Sequence, residues 1–158
     1  MDTTTVSYKL YGTKELEDAL LQIAEDFGYG NTTKKVLVPA IKEASRPAYT
    51  TVLSRIPYDE GNTTTQHMRD TLRLNARMPS AADKRSAYLR YDDVAIAYIS
   101  IRTDKRGISQ EFGNARVRKQ PFLRDSLTYA ANAIIDNFGD FLKKRMTQYK
   151  AKQTKETK

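Results

Sequence analysis

The sequence predicts an α+β fold, with an antiparallel β-sheet packed against two N-terminal helices and one long C-terminal helix. Three observations lead there. Apolar residues recur at helical spacing over two N-terminal stretches and again over a long C-terminal one. Between them, from Leu72 to Phe112, they alternate with polar residues or run on without a break. Strands grouped together in the chain, with helices to either side, give an antiparallel sheet and helices stacked on it.

Each element has its own warrant. Val6, Tyr8 and Leu10 alternate with polar residues and suggest a short strand before Gly12. Thr13 then caps a helix whose first turn carries Glu15, Glu17 and Asp18, acids that the helix dipole favours there. Leu16, Leu20, Ile23, Ala24 and Phe27 form its apolar face, and Gly28 and Gly30 end it. The stretch Asn31 to Thr33 offers the next cap, and Leu37, Ile41, Ala44, Ala48 and Val52 trace a second helix to Arg55. Pro47 lies inside it and predicts a kink or break, because proline removes a hydrogen bond and crowds the preceding turn.

Ile56 to Thr65 reads as a loop from its proline, glycine, asparagine and threonines. Met68 to Leu72 is one helical turn or the entry to a strand, and Leu72, Leu74, Ala76 and Met78 alternate as a strand. Pro79 to Arg85 reads as a polar, mobile connector. The run from Val94 to Ile101 is apolar at nearly every position, which predicts a strand covered on both faces. Thr103 to Gly107 has hairpin-turn chemistry, so Ile108 to Phe112 is expected to pair back as a strand, followed by a basic loop to Gln120. Pro121 suits the first position of a helix, where its missing N–H costs nothing. Leu123, Leu127, Ala130, Ile134, Phe138 and Phe141 then carry a long helix to about Tyr149. Residues 1–149 form a single domain on this reading, and 150–158 a disordered basic tail.

The 158 residues suffice for one core, and no internal repeat is visible. The absence of cysteine excludes disulfides, thiolate metal sites and a cysteine nucleophile. The N-terminal MDTTTVS lacks the basic flank and apolar stretch of a secretory signal, and Val94 to Ile101 is far shorter than the roughly 20 residues of a membrane span. The expectation is a soluble protein made in a reducing compartment.

Charge is unevenly placed. From Lys143 on, seven basic residues stand against one acid, Glu156, so this stretch carries +6 of the net +8 and residues 1–142 carry +2. Within residues 1–142, acids gather between Glu15 and Asp26, and basic residues between Arg102 and Lys119. Opposite patches on one chain suit head-to-tail contact between identical copies.

Catalytic chemistry finds little footing. The single histidine, His67, lies in a polar loop with Asp70 as its near carboxylate; a small nuclease or RNase-like toxin would have to use these two with nearby arginines. The acid pairs Asp59–Glu60 and Asp92–Asp93 are adjacent, so their side chains point apart on a strand, and only pairing of Asp92 with Glu111 would gather carboxylates for a metal. No phosphate-binding or nucleophile-elbow motif is present. A sequence-independent nucleic-acid-binding module is the third class in play, favoured by a pI of 9.6 and opposed by the near-neutral charge of residues 1–142. No catalytic residue, cofactor or metal ligand is assigned.

One stretch is more specific. Ile108-Ser-Gln-Glu111-Phe112-Gly113, a short basic loop, and Gln120-Pro121-Phe122-Leu123-Arg124-Asp125 follow one another. Glycine at 113 permits a sharp exit at positive φ. Glu111 is placed to cap or pair locally, for example with a basic residue of the loop. Pro121 starts the helix, and Phe122 and Leu123 pin that start to the sheet. The pattern resembles that of siphophage head–tail joining proteins, also called neck or tail-completion proteins, which runs from a strand ending in Glu-Phe-Gly to Pro-Phe-Leu-Arg at the start of the last helix. Pro57 and Gly61 match the family's Pro…Gly loop after a helix pair, and Arg69-Asp70-Thr71-Leu72 is similar to its entry into the sheet. The likeness spans roughly residues 10–146; the threonine-rich loop 62–65 is longer than the family pattern.

The resemblance implies a non-enzymatic virion component at the head–tail junction, made in the host cytoplasm. It implies a ring of identical copies, often a hexamer, around the DNA channel, with connector, tail-terminator or tail-tube proteins as neighbours; a tail-terminator subunit is the near variant. Function would be assembly, with loops 57–67 and 104–119 as contact loops, Lys105 and Arg106 among their residues, and the basic tail placed for non-specific contact with DNA.

Overall fold

A computed structural model describes residues 21–26, 28–61, 66–87, 89, 94–101 and 105–156. The strand expected at Val6 to Leu10 and the start of the first helix lie outside these residues. Residues 21–26 are helical (α1), and Gly28, at φ +90°, turns the chain out of it. A new helix, α2 (Tyr29–Thr32), begins at once. Gly28 therefore ends one helix and starts another, and Asn31 to Thr33, expected as a cap, lies inside helical structure. The Thr32 hydroxyl donates back to the Gly28 carbonyl at 3.0 Å.

A π turn (Thr33–Leu37), α3 (Val38–Ala44) and α4 (Arg46–Arg55) continue the same arm. Two prolines explain its irregularities. Pro39 offers no N–H to the carbonyl four residues back and crowds it, and the wider π turn sits directly upstream. Pro47 acts as expected: the helix breaks at Ser45, at φ −83° and ψ −2°, and restarts with proline in its first turn.

Along this arm a buried residue recurs at every fourth position, Thr32, Val36, Ala40, Ala44, Ala48, Val52 and Ile56, with Ser45 buried beside Ala44 at the break. In a regular helix each such step over-rotates by about 40°, so the line would spiral off the face. The π turn and the break at Ser45 absorb that drift and keep the line on one side. They also move the buried line at its N-terminal end from the predicted Leu37 and Ile41 to Val36 and Ala40.

Met68–Thr71 form one 3₁₀ turn, which leads into β1 (Arg73–Arg77). Ser80 caps α5 (Ala81–Lys84), so the stretch expected to be an irregular mobile connector contains a helical turn. β2 (Ile96–Ser100) pairs antiparallel with β1, Leu74 opposite Ile99 and Ala76 opposite Ala97. Ile99 and Ile101 pack on the helices, but Tyr98 on the other face is exposed, with the Arg77 guanidinium 5.6 Å from its ring centre. The expected cover on both faces of this strand is thus absent at Tyr98.

The largest departure follows. Lys105–Phe112 is a helix, α6, where a hairpin strand was expected. Its buried positions are Gly107 and Glu111, four apart, while Ile108 and Phe112 stay exposed. The segment therefore satisfies helical spacing with a glycine and a glutamate, and its apolar residues misreport the period.

The chain closes with α7 (Phe122–Glu156), 35 residues long. It runs through the stretch expected to be a disordered tail, because residues 150–156 are, apart from Thr154, good helix formers without glycine or proline and simply extend an established helix. α3 and α4 lie along it. Val52, Ile56 and Leu72 meet Phe122 at its N-terminal end; Ile23, Val36 and Ala40 meet Leu142, Met146 and Tyr149 near the other. The arm consequently runs antiparallel to α7, with a core at each end and small residues between, Ala44, Ala48, Ala130, Ala131 and Ser126. The observed class is α+β, mainly helical, with a small two-stranded sheet and a long C-terminal helix. Among the described residues, no helix is long and apolar enough to cross a membrane.

Candidate assembly surface

The two halves of the sequence motif meet in space. Glu111, on the inner face of α6, is buried, and its carboxylate accepts the backbone N–H groups of Leu123 at 2.9 Å and Arg124 at 3.2 Å. It also receives the Arg124 guanidinium at 3.4 Å. The first N–H groups of a helix have no partner within it and carry a partial positive charge, so a carboxylate here satisfies donors and the helix dipole together. The Phe122 N–H donates to the Gln120 carbonyl, and the Asp125 N–H to the Pro121 carbonyl, so the first turn of α7 is fully partnered. Pro121 stands at the cap, one place before its expected position.

The neighbouring motif residues complete this lock. Phe112 lies under Arg124, whose guanidinium is 5.0 Å from the ring centre. Gly113 turns the chain at φ +77°, and a Cβ there would come within 3.1 Å of the Lys119 backbone nitrogen and Cβ. The loop beyond is ordered by Asn114, whose side-chain oxygen accepts the N–H groups of Arg116 and Val117 at 2.8 Å each. Phe122 is buried against Val52, Ile56 and Leu72. Glu111 pairs with Arg124 on the helix, not with a basic residue of the loop.

The lock fixes one wall of a groove of about 540 Å³. Arg106, Ser109 and Gln110 of α6 line that wall with Val117, and Pro57, Tyr58 and Asp59 face them together with His67 and Met68. Described residues of both stretches selected from sequence, 57–67 and 104–119, therefore border a single depression, the second stretch doing so mainly through helix α6. The His67 ring stacks on Tyr58 with centroids 4.4 Å apart, and the Arg69 guanidinium lies 5.2 Å from the Tyr58 ring centre while donating to the Leu53 carbonyl at the end of α4. Gly61 sits in an exposed turn, its N–H donating to the Asp59 carboxylate at 3.0 Å. Lys105 is the first residue of α6.

α6 thus presents three stripes. Gly107 and Glu111 face inward; Arg106, Ser109 and Gln110 face the groove; Ile108 and Phe112 remain 43% and 44% exposed. Tyr58, on the opposite wall, is 48% exposed. The arrangement supplies apolar contact area beside polar groups on a rigid frame, which is what a protein-docking surface requires.

Glu111, one of the two carboxylates whose strand pairing would have offered a metal site, is committed to α7, and Asp92, the other, lies outside the described residues. Among the described residues no three His, Asp or Glu side chains are grouped to hold a metal ion.

One polar cluster escaped the sequence reading. Ser80 and Asp83 form a capping box: the Ser80 N–H donates to the Asp83 carboxylate at 2.7 Å, and the Asp83 N–H donates to the Ser80 hydroxyl at 3.2 Å. Arg77, at the end of β1, forms a two-pronged ion pair with the same carboxylate. That guanidinium, with help from Ser80, holds the Asp83 carboxyl well below the usual carboxylate range. The Ser-x-x-Asp spacing was a readable signal.

Compared with protein-family models, curated proteins and solved structures, the chain matches none of them.

Proposed function

We propose that the protein is a structural subunit of a tailed phage particle, one of a ring of identical copies at the head–tail junction, and that it acts by assembly. The observation that carries this reading is the meeting of Glu111 with Leu123 and Arg124. Glu-Phe-Gly closes a helix here where the family pattern closes a strand, yet the two halves of the motif meet as one physical unit in which each satisfies the other. Its consequence is mechanical. α6, and with it the groove and the exposed Ile108–Phe112 stripe, is fixed to the longest helix of the molecule, so a neighbour meets a preformed surface and little ordering entropy is lost on contact.

The docking step on this reading places apolar side chains of an adjacent subunit or tail component against the exposed Ile108–Phe112 stripe of α6, while Tyr58 and Arg106 meet it at the separate groove on the other side of that helix. No bond is made or broken. The test is deletion of the gene in cells producing the particles, read by electron microscopy. Filled heads and unattached tails are expected to accumulate; joined, infectious particles made without the chain would overturn the proposal. Ile108→Asp, at an exposed position that touches neither Glu111 nor Arg124 among the contacts described, is expected to give the same phenotype.

A further inference from the structure

We infer that the C-terminal third of α7, together with the π turn beside it, forms a binding face for the phosphate backbone of nucleic acid. The inference does not depend on the assembly reading. The basic residues after position 142 ride on a formed helix and so have fixed directions. Lys143, Lys144, Lys150, Lys152 and Lys155 are all exposed and lie along a span of about 18 Å: Lys144 and Lys155 stand opposite the buried Leu142, Met146 and Tyr149, with Lys143 and Lys150 on one flank and Lys152 on the other.

A second element adds to this face. Val36 of the π turn packs in the same cluster as Tyr149, and the Lys35 ammonium sits 5.9 Å from the Tyr149 ring centre. Lys34 and Lys35 are both exposed there. None of these lysines is in an ion pair among the described residues. Among the described residues these charges are answered only in part: Glu43 is paired with Arg46 and Arg145 and also feels Lys144, and Glu25, Asp26, Asp140 and Glu156 make no ion pair with a lysine. Unneutralised like charges held together repel one another, and a polyanion relieves that repulsion.

The chemistry of the face favours phosphate over an acidic protein. Its exposed residues between the lysines are Thr147, Gln148, Ala151 and Thr154, with no large apolar side chain. Protein interfaces are centred on buried aromatic, Met or Arg anchors and are depleted in lysine. Contact with a phosphate backbone needs only positive charges at intervals, and is independent of base sequence.

The test is fluorescence anisotropy of the full-length protein with a labelled DNA duplex of arbitrary sequence, from 50 to 300 mM salt, with poly-glutamate as competitor. Binding is expected to weaken linearly in log–log form, and the triple variant Lys150→Gln, Lys152→Gln, Lys155→Gln to lower the slope by about 0.9 for each lysine that contacts phosphate. Glutamine keeps the helix, and circular dichroism checks it; Lys34→Gln with Lys35→Gln provides a second variant away from α7. Substituting Arg116, Arg118 and Lys119 by glutamine, in the loop before α7, is expected to leave binding unchanged. Absence of binding at 50 mM salt, binding untouched by both lysine variants, loss in the loop variant alone, or stronger binding of poly-glutamate than of DNA would each overturn the assignment.

Discussion

A glutamate with about 4% of its surface exposed is costly to bury unless its charge is answered, and Glu111 is answered by two backbone N–H groups and a guanidinium. Removing the carboxylate would leave the first turn of α7 uncapped and Arg124 without its acceptor. Glu111→Ala is therefore expected to destabilise by about 2–4 kcal/mol, and Glu111→Gln, which keeps one acceptor oxygen, by less, both read from urea midpoints. Gly113→Ala fails for a different reason. Its φ of +77° disfavours any side chain, and the new methyl would press on the Lys119 backbone at 3.1 Å, which cannot swing away. The expected loss is about 1–3 kcal/mol in the same measurement. Of this site, the need for a turn at Gly113 and the start of a helix near Pro121 were legible from residue type alone. The acceptor role of Glu111 was legible only as local capping or pairing, because its partners lie twelve and thirteen positions away across a loop whose path the residues do not announce.

The helices that read correctly are those whose buried residues are apolar. α4 ends at Arg55 as expected and α7 begins where Pro121 places it, within one position. α6 misled because its inward positions are a glycine and a glutamate, so the apolar pattern described its solvent face. The end of α7 misled in the opposite sense: the apolar anchors stop at Tyr149, but helix propensity carries the backbone through Glu156. Deleting residues 150–158 is accordingly expected to lower the 222 nm ellipticity while shifting the melting temperature little, since only Gln153 among residues 150–156 is even half-buried. The link between β1 and α5 gives a pH-dependent counterpart. The Asp83 carboxyl is depressed from its ordinary value of 3.8 by the hydrogen bond from Arg77 and those from Ser80, so its contribution is complete above that value and is lost as pH falls below it. Asp83→Asn is expected to melt below wild type at pH 6, with the gap closing as the solution is acidified past 3.8. A gap that widened in acid would contradict the sign.

At the scale of the molecule, α7 is a strut about 52 Å long with a core at each end. Phe122, Val52, Ile56 and Leu72 close one end, and Leu142, Met146 and Tyr149 with Ile23, Val36 and Ala40 close the other. Between them the arm and the strut are lined by buried Ala44, Ala48, Ala130 and Ala131. Small residues let helix backbones approach closely, and nothing larger fits without pushing them apart. Phe122→Ala empties one core and is expected to lose about 3–5 kcal/mol, leaving the far end to respond only through the strut. A larger residue at the middle acts on both ends at once. Ala130→Leu is expected to lose about 1–3 kcal/mol and, by prying the arm from α7, to increase hydrogen exchange at α3 and α4 together. Exchange raised only in the turn surrounding residue 130 would mean that the two cores hold the arm in place without help from the alanine contacts, and that the molecule is two packed ends joined by a passive rod.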